Sequence, residues 1–354
     1  MIVTIDATTG EFGAANAAEM EYLFSEVLRA SILGKHFVLL DRVTCDWAMG
    51  NLTLGAQYQA HLQLLKQEFT QRGAIRAVAG QILSIKIGGN GLQPVTSQKY
   101  EIGHRTLLQG NYLDVAVLLV ANTANDGEFL KQILNMTKRN HPIGHFAFVV
   151  RHGGGSTIVE CFNEELNAQR ITICIVDSDR LSPHNFSSTT VRALQASANQ
   201  NAYVGGIFPT PCREIENFIP LDLIERHRLC PTYPDFQKLK AILQRQDIQD
   251  DAHNACWLYF DLKMGLSGPA LLAKGLQADI EAWIQQHFTP DSETFNQTNI
   301  AGFGTNILRT FLNSNPAMRD YNDFTKTSFW AAVFAPLFEK IAWFLAADKR
   351  KAAV

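Results

Sequence analysis

The stretch Ile173-Cys174-Ile175-Val176-Asp177-Ser178-Asp179 is an unbroken apolar run that ends in two carboxylates. A run this short, rich in β-branched residues and without polar alternation, reads as a strand covered on both faces, as in a parallel sheet. Side chains alternate along a strand, so Asp177 and Asp179 are expected on the same side where it runs out. Like charges that close repel unless a cation lies between them, and hard carboxylate oxygens suit Mg²⁺ or Mn²⁺. A solvated strand-end turn is the commoner explanation of a lone Asp-x-Asp, so the surrounding sequence has to decide.

Outward from this run, residues 111–220 alternate strand and helix, with strands at 115–120, 146–150 and 171–176 and helices at 126–136 and 156–166. Repeated strand–helix–strand units predict a parallel sheet with helices on its faces, and chemistry in such sheets gathers at the carboxyl ends of the strands. Residues 1–110 read as a separate α/β region: helices at 17–33 and 56–72, a strand at 36–40, and a hairpin turning at Gly88-Gly89-Asn90-Gly91. Residues 221–354 read as mostly helical, with helices at 235–248, 270–287 and 306–313. The whole is an α/β chain of 354 residues, long enough for two or three domains.

Composition narrows the class. A net charge of −3 with 18% charged residues provides no global basic field, so a nucleic-acid substrate would need a local patch or a partner's help. The six cysteines include no Cys-x-x-Cys pair, which argues against a zinc site or a disulfide framework and points to a reducing cytoplasm. No signal peptide is expected at the N-terminus. The apolar segment 329–347 is interrupted by Pro336 and carries Glu339-Lys340 near its middle, so it reads as a buried or docked helix and not a membrane span.

Gly153-Gly154-Gly155-Ser156-Thr157 lies between a strand and a helix, where glycines allow close backbone approach and a helix N-terminus attracts phosphate; a tight turn capped by Ser156 is the competing explanation. Arg151 precedes it. Arg213-Glu214-Ile215-Glu216-Asn217-Phe218 adds two acids, of which only one is expected to point inward if the segment is helical. His141 and His145 have ligand spacing, but Pro142 and Gly144 argue against a helix there, and no Ser–His–Asp or Cys–His set assembles.

Taken in order, these segments resemble the topoisomerase–primase (TOPRIM) domain in the form found in overcoming-lysogenization-defect nucleases and related phage-defence effectors. The matching segments are 118–126, the Gly153–Gly155 turn, Asp177-Ser178-Asp179 and Arg213 to Asn217, about a third of the chain. The resemblance implies Mg²⁺ (or Mn²⁺) ions held by Asp126, Asp177, Asp179, Glu214 and Glu216, phosphate contacts from Gly153, Gly154, Gly155 and Arg151, and a catalytic cation such as Lys263. It also implies a catalytic Glu where this chain has Ala121, which can neither bind metal nor move a proton. Ala121 is either a natural loss or a Glu→Ala change that leaves an inactive variant, and retention of the other acids favours the second.

The implied activity is metal-dependent phosphodiester hydrolysis in DNA or RNA, as the effector of an anti-phage system. Such nucleases act with an ATPase, and as no Walker sequence occurs here the ATPase would be a separate chain. Two other readings remain open: a non-catalytic nucleic-acid or nucleotide-binding sensor or scaffold, and a doubly wound phosphohydrolase of small phosphate esters.

Overall fold

Two parallel-dominated sheets organise the computed structural model, which describes residues 1–185, 188–200, 202–229, 233–244, 252–290 and 294–351. The first is built from β1 (Ile2–Ile5), β2 (Phe37–Val38), β3 (Ile82–Lys86), β4 (Leu92–Thr96) and β5 (Lys99–Gly103), in the order β2-β1-β3-β5-β4. All neighbours in it are parallel except β4 and β5. The expected hairpin at Gly88–Gly91 is therefore corrected: β3 pairs parallel with β5, and the antiparallel partner of β5 is β4. The reason lies in the residues. Leu83, Ser84 and Ile85 are fully buried and take ladders on both sides, whereas β4 is mostly exposed and contains Pro94, which suits only an edge. The helix Ala17–Ile32 starts where the Asn16 side chain accepts from the amides of Ala18 and Glu19, as an N-cap should.

The second sheet consists of β6 (Ala116–Val120), β7 (Phe148–His152), β8 (Thr172–Val176) and β9 (Gly205–Pro209), all parallel, in the order β7-β6-β8-β9. Every residue of β6 and β8 is buried, as their unbroken apolar runs require. On one face, Leu118, Val120, Ile173 and Ile175 join the main core with Phe129 and Phe218. On the other, Leu119, Cys174 and Val176 pack with Ile158, Phe162, Val191 and Leu194 from the helices Ile158–Asn167 and Thr189–Ala198. Each such buried aliphatic contributes about 1.5–3 kcal/mol. β7 begins two residues later than the sequence predicts, because Phe146 instead bridges to Ala346.

The C-terminal part is largely helical but also holds an unforeseen antiparallel pair, β10 (Gly265–Ser267) with β11 (Asn299–Ala301). The helix expected at 270–287 is two helices, Gly268–Leu272 and Ala278–Phe288, separated by a break in which Gly275 has φ +62°. The helix expected at 235–248 spans Tyr233–Gln244, and residues 245–250 lie outside the described ones. The segment 329–347 forms the helices Ser328–Val333 and Ala335–Leu345, with Pro336 in a first helical turn, where its missing N–H costs nothing. Among the described residues no helix is long and apolar enough to cross a membrane. Phe334 and Phe338 from this segment close on Phe218, with ring centroids 4.8 and 5.7 Å away.

Candidate functional site

β6 delivers the chain to Ala121, which is half-buried. Asn122 then caps a π-helical turn, Thr123–Gly127, its side chain accepting from the amides of Ala124 (2.9 Å) and Asn125 (3.2 Å). Single π-turns inside helices are common at functional sites. Here the turn folds Asp126 back, so that its Oδ2 accepts from the Asn122 amide at 3.0 Å. Burial, reinforced by the nearby Glu216 charge and opposed by Lys263, pushes the Asp126 carboxyl up to about 6.

β8 ends at Val176 and the chain is then sewn to residues 210–215. The Ile215 amide donates to Asp177 Oδ1 at 2.9 Å, and the Ser178 amide donates to Thr210 Oγ1 at 3.0 Å. The Ser178 hydroxyl donates to the Cys212 carbonyl, and the Asp179 amide donates to the Arg213 carbonyl at 2.9 Å. Loss of water raises the Asp177 carboxyl well above the usual range, and Glu216, Glu214 and Asp126 add to the effect against Lys263. The expectation that strand alternation aligns Asp177 with Asp179 does not hold. The strand stops before both, and Asp179 adopts a left-handed backbone (φ +54°) and is exposed.

Glu214 and Glu216 both turn inward, another correction. Only Ile215–Phe218 is a 3₁₀ turn; Glu214 is its extended cap, with φ −137° and ψ 164°, so the two side chains are not held on opposite faces of one helix. They converge on Lys263, whose Nζ lies 3.6 Å from Glu214 Oε2 and 3.3 Å from Glu216 Oε2. Glu214 and Glu216 are only 8% and 4% exposed, yet neither Oε2 atom has a directed hydrogen bond. Burial pushes the Glu214 carboxyl up to about 7 despite Lys263. Burial disfavours the Lys263 charge, but Glu216, Glu214 and Asp177 together outweigh it and raise its affinity for the proton.

Asn217 fixes this arrangement. Fully buried, it accepts from the Glu214 amide at 2.9 Å and donates to the carbonyls of Trp257 (2.7 Å) and Phe260 (2.9 Å). It thereby clips the acid-bearing turn to the segment that leads into Lys263. Asp261 completes the support, accepting from the amides of Lys263 (3.1 Å) and Met264 (2.7 Å) and pairing with Arg213 at 3.0 Å. These supporting roles of Asn122, Asn217 and Asp261 were missed in sequence; the only signal was that each lies within four residues of an acid or Lys263.

The glycine turn has a packing explanation. The Gly153 amide donates to the Val120 carbonyl at 2.7 Å, and a Cβ on Gly153 would lie 2.6 Å from Ile158 Cγ1. Gly154 and Gly155 have φ of +66° and +58°, and Thr157 Oγ1 donates to the Gly153 carbonyl at 2.9 Å. The Ser156 side chain, expected as the cap, lies outside the described residues. Arg151 is exposed on the edge strand β7 and is engaged by Glu165, with Nε 3.3 Å from Oε1, so its charge is directed to the helix Ile158–Asn167 and not to the acids. His141 accepts from the Ile143 amide at 3.3 Å and packs edge-on to Trp343, a structural role.

The arrangement sets Glu214 and Glu216 against the Lys263 ammonium, with Asp126 and Asp177, which follow the ends of β6 and β8, close enough to feel its charge. Oxygen donors with two unpartnered buried atoms fit a hard divalent cation in chemistry. Among the described residues, however, no group of three or more His, Cys, Asp or Glu side chains is arranged to hold a metal ion as they stand. No protein-family model matches the chain, and neither a curated protein nor a solved structure matches it.

Proposed function

We propose that this protein is a TOPRIM-type, divalent-metal-dependent nuclease that hydrolyses phosphodiesters in DNA or RNA, with its first catalytic carboxylate replaced by Ala121. One observation carries this reading: after the ends of β6 and β8 the Glu214–Glu216 turn closes on Lys263 at 3.6 and 3.3 Å, and the buried carboxyls of Asp126 and Asp177 feel the charges of Glu216 and Lys263. Asp126, Asp177, Glu214 and Glu216 would hold Mg²⁺ or Mn²⁺, which would polarise water and stabilise charge on the phosphoryl oxygens. Asp179 and the Gly153–Gly155 turn would stand at the solvent side.

The chain's own groups supply the rest. The Asn122 and Ile215 amides orient the carboxylates of Asp126 and Asp177, and such preorganised dipoles need no rearrangement during reaction. Lys263 offers a positive charge to a phosphate. Ala121, half-buried and directly after β6, offers neither ligand nor proton acceptor, so this chain as it stands would be slow or inactive. The same proposal includes an effector role in antiviral defence with a separate ATPase partner, which fits a chain with a net charge of −3 that would rely on recruitment to reach nucleic acid.

The test is Ala121→Glu, assayed with Mn²⁺ on plasmid DNA, single-stranded DNA and RNA, with and without a partner ATPase. Metal-dependent cleavage that disappears in Ala121→Glu/Asp177→Asn supports the proposal. No cleavage of any polynucleotide refutes it and favours the non-catalytic scaffold, a reading that Ala121 itself supports. Hydrolysis of small phosphate esters alone would assign a phosphohydrolase.

A further inference from the structure

We propose that a cleft between the end of the helix Glu128–Thr137 and the helix Ala335–Leu345 binds a small quaternary ammonium compound. The cleft encloses about 370 Å³, a volume that suits a small molecule, and its lining includes Met136, His141, Trp330, Phe338, Glu339 and Trp343. Ala335, Glu339 and Trp343 follow one another at intervals of four, so the carboxylate and the indole stand one turn apart on the same helix face. The rings fix one another. Trp330 stacks on Phe338, with centroids 5.6 Å apart and planes 12° apart, and His141 packs edge-on to Trp343 at 4.3 Å. None of the lining residues belongs to the group around Glu214 and Lys263, so the proposal does not rest on the metal-dependent reading.

Charge decides what such a cleft prefers. Glu339, exposed at the rim, supplies the carboxylate; it pairs with no described residue, and the lining contains neither Lys nor Arg. Burial pushes the His141 ring down to about 4, so it adds no positive charge at neutral pH. A carboxylate beside aromatic rings attracts organic cations, through Coulomb attraction and through the ring quadrupoles. An anionic ligand would meet Glu339 with no cation in the lining to answer it. The floor then selects among cations. Trp330 and Phe338, both buried, offer ring surface and no hydrogen-bond acceptor. A primary ammonium would bring three N–H donors to that floor and leave them stripped of water, a cost that a quaternary ammonium does not carry.

The experiment titrates the full chain with choline, with ethanolamine and with the uncharged carbon isostere of choline, followed by calorimetry and tryptophan fluorescence. Choline should bind about tenfold more tightly than either of the others. Two kinds of variant at exposed positions test the charge, and thermal melts establish that each is folded. Glu339→Gln should weaken choline by about threefold to tenfold. Ala331, an exposed residue of the lining, should respond in both directions: Ala331→Arg weakens choline and Ala331→Glu tightens it. Equal binding of the uncharged isostere or of ethanolamine overturns the proposal. So does a choline affinity that Glu339→Gln and both Ala331 variants leave unchanged. A lack of response to choline, tetramethylammonium and benzyltrimethylammonium alike also overturns it.

Discussion

Replacing Asn217 with Ala should destabilise the fold and loosen the site together. The side chain is fully buried and makes three hydrogen bonds, at 2.9, 2.7 and 2.9 Å, to the Glu214 amide and the Trp257 and Phe260 carbonyls. Truncation leaves all three backbone groups without that partner, and each buried polar group so stranded costs about 1–3 kcal/mol before relaxation. Water entering the vacated space recovers part of this, which leaves a loss of roughly 3–5 kcal/mol. For a chain of this length, about 2 °C per kcal/mol corresponds to a melting temperature lower by roughly 6–10 °C. Urea unfolding followed by tryptophan fluorescence is a direct assay, because Trp257 lies at the point of attachment. Acetylation of Lys263 should also quicken, since the clip between the acid turn and the lysine segment is gone. A loss below about 1 kcal/mol with unchanged Lys263 labelling would show that Asn217 is not the fastener.

Two further outcomes follow from the same geometry. Asp126 has a folded-state value raised from 3.8 to about 6, so the folded form binds the proton more tightly and the penalty is absent below about pH 4, grows as pH climbs to about 6 and is full above it. Asp126→Asn, which keeps an acceptor for the Asn122 amide, should therefore be more stable than wild type at pH 7.5 by roughly 2–3 kcal/mol and level with it near pH 4; lower stability at pH 7.5 in urea titrations would contradict this. Gly153→Ala should cost about 1–3 kcal/mol through overpacking, because the new Cβ would lie 2.6 Å from Ile158 Cγ1 and 3.0 Å from the Val120 carbonyl oxygen. A thermal melt unchanged by that substitution would show that the turn is looser than its packing indicates.

The second sheet was legible because β6 and β8 are short apolar runs buried on both faces, a pattern with few other solutions. The first sheet was misread at Gly88–Gly91, since local turn chemistry cannot reveal that β3 prefers β5, a partner that comes after an intervening strand. At the site, Asp126, Asp177, Glu214, Glu216 and Lys263 were all named from sequence, but their mutual geometry was not. Period-two and i,i+2 rules fail where regular structure has ended: Asp179 takes a left-handed turn and Glu214 an extended cap. Arg151 pairs with Glu165 on the following helix, a partnership that sequence alone does not reveal.

The aromatic clamp on Phe218 has a consequence for the notion of a catalytic core. Glu216 is aimed from a turn whose far end is gripped by Phe334 and Phe338, and its counter-ion Lys263 is contributed from a still later segment. The stretch 111–220 is thus not a portable module: excised, it would lose both the anchor for its acids and the charge that tempers them. Grafting or truncation should be planned around the whole chain, since the last helices serve as ballast for an acid-bearing turn encoded more than a hundred residues earlier.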